Sequence, residues 1–164
     1  MNAAHLHLMV NHLPLFAALF AAALLAVGVL RKHKPLTDAG LVLAVVAGLG
    51  AFAAAQTGER AEEIAEGLPA VTEASIESHE EAAEAAMFTS IALGVLALTA
   101  LAVPARMAGA KRAATLGSLV FAVAAFALVG RAANRGGMIR HTEISDVTAA
   151  GEVDSEAEDR EIEH

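Results

Sequence analysis

Long runs without a single Asp, Glu, Lys or Arg alternate along this chain with short, strongly charged segments. Four such runs, 13–30, 39–56, 85–105 and 113–130, each approach the ~20 residues that an α-helix needs to cross the hydrocarbon core of a bilayer. The pattern predicts four transmembrane helices. They consist mainly of Ala, Leu, Val and Gly, and small residues let helix backbones approach closely where lipid offers no hydrophobic drive for association. The fold expected is therefore all-α, an integral membrane four-helix bundle occupying residues 1–144. Residues 145–164 hold too few large apolar side chains to offset their ordering entropy, and form an acidic tail expected to be disordered.

The charged segments set an orientation. Loops 31–38 and 105–112 carry six Lys or Arg against one Asp, whereas the 57–84 connection carries nine Glu and a single Arg60. By the positive-inside rule the basic loops face the cytoplasm. Helix parity then puts both termini, the acidic connection and the tail on the far side. In a bacterium that side is the periplasm, and the chain is a multi-pass protein of the inner membrane. Arg131, Arg135 and Arg140 oppose the bias. The first run has no basic segment before it and ends in Arg31, Lys32 and Lys34 rather than at a small-residue cleavage site, so it reads as a retained helix. Pro14 either opens that helix, where its missing N–H costs nothing, or lies inside a longer one and frees the Val10 carbonyl. The acidic connection reads as a short helical hairpin: 59–66 favours helix and stops at Gly67 and Pro69, and Ser78 with Glu81 matches a capping box leading into the third span.

Composition narrows the chemistry. With 56% hydrophobic residues and a mean hydropathy of +0.54, the chain is no ordinary soluble domain. It has no Cys, which excludes disulfides and thiolate ligands and leaves His, carboxylate and Met to hold any metal. The net charge of −8 belongs to the tail, where nine acids in residues 142–164 are opposed only by Arg160. No nucleic-acid patch, phosphate-binding glycine loop or nucleophile with an evident base is present, so nothing argues for an enzyme. None of the spans carries an acidic or basic residue at mid-membrane, which ranks an ion pathway last.

The remaining unusual residues gather at one end. His33 lies in a basic loop and His164 ends the chain, but His5, His7, His12, His79 and His141 all map to the far end of the bundle. His12 precedes the first span, His79 the third, and His141 follows the fourth after Gly136 and Gly137. Glu59 lies just past the second span. Glu80 and Glu84 share a helix face, with Glu84 where headgroups give way to hydrocarbon and a carboxylate needs a partner. Imidazoles with carboxylates suit Zn, Fe or Mn, imidazoles with thioether suit Cu, and two opposed imidazoles suit haem iron. His12, His79, His141, Glu84 and Glu59 are thus candidate metal ligands, and Arg135 and Arg140 candidate partners for the propionates of haem b. The plainer reading of each is a solvated side chain at a helix end, and His5 and His7 fall in a terminus expected to fray.

At Asn11-His12-Leu13-Pro14, and at Gly136-Gly137-Met138-Ile139-Arg140-His141 after the last span, the chain resembles a family of small four-span bacterial membrane proteins of unknown function. The match covers roughly residues 5–144, with Leu13 where that family usually has an aromatic. Relatives are joined to Rieske iron–sulfur or c-type cytochrome domains. The resemblance implies a setting in periplasmic or membrane electron transfer rather than transport, which would make a periplasmic electron-transfer protein the partner; the sequence leaves a homo-oligomer or a larger complex open. Two functions follow as expectations: a membrane redox or metal-binding module with a His/Glu site, haem or non-haem, at the periplasmic end; or a cofactor-free structural subunit docking a basic partner through its acidic hairpin and tail.

Overall fold

The computed structural model describes residues 3–67 and 71–140; the acidic tail and His141 lie outside the described residues. Among the described residues the chain is all-helical, and four of its helical stretches are long and apolar enough to cross a membrane. In order they are α1 (Ala3–Val10), α2 (His12–Leu30), α3 (Lys34–Ala65), α4 (Glu73–Ala102), a single 3₁₀ turn (Ala105–Met107) and α5 (Ala108–Arg140). α3 packs between α2 and α4, and α5 closes the ring against α4 and α2. α1 lies against α3.

The interior is filled by the smallest side chains. Ala18, Ala21, Ala44, Ala47, Ala97, Ala100, Ala122 and Ala125 are completely buried, while Phe16, Phe20, Phe52 and Phe88 are all more than half exposed. In water such an apolar exterior would be an aggregation surface. In lipid it is the expected arrangement, since acyl chains solvate large apolar groups as well as a core does and tight packing supplies the helix association. α3 and α4 also approach closely at mid-span, where a Cβ built on Gly48 would stand 2.9 Å from the Ser90 carbonyl oxygen and 3.2 Å from Gly94 Cα.

The two ends of the bundle are built differently. At the basic end the connections are tight. α2 closes in a Schellman motif: Lys32 takes a left-handed conformation (φ 50°), and the His33 and Lys32 amides donate to the Gly28 and Val29 carbonyls at 2.8 and 3.3 Å. The His33 side chain then caps α3, its Nδ1 accepting from the Leu36 amide at 3.4 Å, with Pro35 in the first turn. A Cβ on Gly28 would meet Thr37 Oγ1 at 2.6 Å, so the turn needs glycine there.

At the acidic end the helices run on. α3 extends nine residues past Gln56, α4 begins twelve residues before Ala85, and α5 continues ten residues past Gly130. At ~1.5 Å per residue these are extensions of about 13–18 Å beyond the apolar runs. The acidic segment is therefore carried on continuous ends of α3 and α4. The capping box at the start of α4 is formed by Thr72 and Ser75, each side chain accepting from the other's amide, at 3.2 and 3.3 Å. The expected box at Ser78 and Glu81 is not used, because the cap of α4 is Thr72, six residues earlier, and Ser78 lies inside the helix. Pro14 falls in the first turn of α2, with a helical segment before it as well. Asn11 between α1 and α2 keeps helical angles (φ −62°, ψ −22°), so the chain passes from one to the other with a single-residue interruption. Pro14 accounts for it, having no N–H to offer the Val10 carbonyl.

Candidate metal centre

The helix extensions bring polar side chains from α1, α3, α4 and α5 together at the acidic end. His79 on α4 is half-buried, and its Nδ1 lies 2.9 Å from the Ala132 carbonyl oxygen on α5. A carbonyl only accepts, so Nδ1 carries the proton and the neutral ring keeps its lone pair on Nε2. Room for the ring comes from Gly136, where a Cβ would sit 2.9 Å from His79 Cε1 and 3.1 Å from Nδ1. The neighbouring Gly137 has nothing within 4 Å of such an atom. One residue before, Arg135 Nη1 donates to the Ser78 carbonyl at 2.9 Å and to the Ser78 hydroxyl, tying α5 to the same turn of α4.

His7 on α1 repeats the geometry. Its half-buried ring donates from Nδ1 to the Ala54 carbonyl on α3 at 3.0 Å, with Thr57 Oγ1 also at 3.2 Å, again leaving Nε2 with the lone pair. Gly58 lies beside it, where a Cβ would make ordinary contact with the ring at 3.4 Å. The charge of His79 is the smallest of the influences on His7, after burial and the hydrogen bond to Ala54. Anchoring one imidazole nitrogen on a carbonyl and presenting the other is how proteins orient histidine for a metal. One helical turn on from His7, the side-chain oxygen of Asn11 is buried with no hydrogen-bond partner among the described residues.

The other candidate ligands among the described residues are exposed. His12 is exposed, with its Nδ1 on the Leu8 carbonyl of its own helix at 3.1 Å. Its neighbours four residues either way, Leu8 and Phe16, are 61% and 51% exposed, so His12 occupies the outward face. His7, Asn11, Pro14 and Ala18 follow the inward face at the i, i+4, i+7, i+11 spacing, Pro14 and Ala18 being buried. The inward histidine before the first span is thus His7, and that spacing was its only signal in the sequence. Glu59 and Glu84 are both exposed. Arg140 closes α5 and His141 follows outside the described residues. Among the described residues no group of three or more His, Asp and Glu stands together as a metal-holding set.

A second polar contact joins the extensions of α3 and α4. The Glu62 carboxyl hydrogen-bonds the Glu80 carboxyl, and two carboxyls in contact must share a proton. Glu62 lies six residues, about 9 Å, past the apolar run of α3 and outside the membrane-spanning segment. The hydrogen bond to Glu80, then partial burial and the charges of Glu80, Glu66 and Glu59, push its pKa up to about 7.

With this geometry in place, the chain was compared with protein-family models, curated proteins and solved structures, and none matches.

Proposed function

We propose that the chain is a membrane-embedded module that binds a transition-metal ion through imidazole at the acidic end of its bundle and serves electron transfer there. The observation that carries the reading is the matched pair His7 and His79. Each ring is pinned through Nδ1 to a carbonyl of a different helix, and each can then keep an Nε2 lone pair. His141, Glu59 and Glu84 remain the candidates for completing the coordination, with Asn11 Oδ1 as a neutral oxygen donor. Imidazole with oxygen suits Fe, Zn or Cu. A simple ion is preferred to haem b, because α5 backbone packs directly against the edge of His79 and Arg135 is engaged with Ser78 rather than free for a propionate.

The six basic residues at the other end support a periplasmic position for the acidic end, and for both termini with it. The resemblance of 11–14 and 136–141 to the four-span family supports the redox setting. Elemental analysis and an optical spectrum of the full chain purified in mild detergent test the reading. One equivalent of a non-haem metal is expected. A Soret band would replace the ion with haem. Protein that stays empty after incubation with iron, zinc, copper and haem would overturn the cofactor reading and favour the structural subunit, whose basic partner would meet the exposed glutamates of α3 and α4.

A further inference from the structure

The opposite end of the molecule carries an open pocket of about 380 Å³ between the α2–α3 turn and the start of α5, within the ~300–1,000 Å³ typical of small-molecule sites. Its walls are apolar at Val29, Ala105 and Leu116, and Lys34, Lys111 and Arg112 bring three cations to it. Lys34 is paired with Asp38, the only acid in either basic loop. Lys111 and Arg112 have no carboxylate partner among the described residues. They immediately precede the charge-free run 113–130, at the level where the hydrocarbon of a bilayer gives way to headgroups, while Val29 and Leu116 lie within the apolar runs. Two uncompensated cations above an apolar floor match a phosphodiester carrying an acyl chain.

We propose that this pocket binds one anionic phospholipid from the leaflet on the basic side, its phosphate on Lys111 and Arg112 and the start of an acyl chain against Val29 and Leu116. The inference requires the chain to cross a bilayer and is independent of the metal centre. Native mass spectrometry of the full chain in detergent, titrated with phosphatidylglycerol or with phosphatidylcholine of the same acyl chains, tests it. Phosphatidylglycerol is expected to bind roughly tenfold more tightly, and the K111Q/R112Q double variant to lose that preference. R31Q/K32Q, which removes two charges outside the pocket, should keep it, and excess inorganic phosphate should not displace the lipid. Leu116→Trp, which fills the pocket without changing charge, should also abolish binding. Thermal melts establish that each variant is folded. Equal binding of the two lipids, or equal loss in R31Q/K32Q, would overturn the proposal in favour of diffuse charge attraction. Displacement by inorganic phosphate alone would overturn the lipid as ligand and leave a phosphate site.

Discussion

Gly136 and Gly137 are adjacent on one helix and do different things. Gly136 makes room for the His79 ring. Gly136→Ala is expected to push that ring away from the Ala132 carbonyl and to destabilise the chain by about 1–3 kcal/mol, as overpacking does. Gly137→Ala meets only open space and should be neutral or gain about 0.5–1 kcal/mol from helix propensity. Chemical or thermal unfolding in one detergent separates the two; equal effects would show that the His79 contact is not what requires glycine. Glu62 gives a pH signature. Its carboxyl is protonated in the folded chain up to about pH 7 but ionises earlier when unfolded. The contact with Glu80 therefore stabilises fully below the ordinary Glu range and is lost as pH rises through about 7. Melting curves should show stability falling between acid and neutral pH, and Glu62→Gln, which cannot ionise, should flatten that fall. A Glu62→Gln profile parallel to the parent would show that other groups govern it.

At the scale of elements, close packing and turn chemistry make separate predictions. Gly48→Val places a side chain 2.9 Å from the Ser90 carbonyl oxygen on α4 and should cost about 2–3 kcal/mol or force the helices apart. Gly117→Ala, whose Cβ meets the Leu96 side chain at 3.6 Å, should be tolerated. Lys32→Gly should stabilise by about 0.5–1 kcal/mol, because Lys32 holds a left-handed conformation that costs a side chain and not glycine. The four spans were legible as charge-free runs, since an ionised group in hydrocarbon is expensive enough to leave a gap in the sequence. Their extensions were less so. Glutamate is at home in a helix or on a solvated loop, so 57–65 and 73–84 read as a hairpin although they continue α3 and α4. The start of α4 went the same way: Thr72-Ser75 and Ser78-Glu81 both fit a capping pattern, and only the tertiary structure selects the first.

For the whole molecule, the end that carries the candidate site was legible, and its inward-facing residues only partly. Helix parity alone brings the ends carrying His7, His12, His79 and Glu59 to one side of the bundle. Which histidine turns inward depends on helix phase, and around Asn11 both faces of α1 and α2 offer one. The chain's lack of cysteine makes its orientation directly testable, since any introduced thiol is unique. Glu63→Cys should react with an impermeant maleimide added outside intact cells, and Lys32→Cys only after permeabilisation. The reverse order would invert the topology.

The most direct test of the proposed metal centre is the metal content of the purified chain beside the His7→Ala, His79→Ala and His12→Ala variants, with melting curves confirming that each is folded. The account predicts one bound metal ion, lost in His7→Ala and His79→Ala and retained in His12→Ala. Metal retained in both of the first two, or lost in His12→Ala alone, would contradict it.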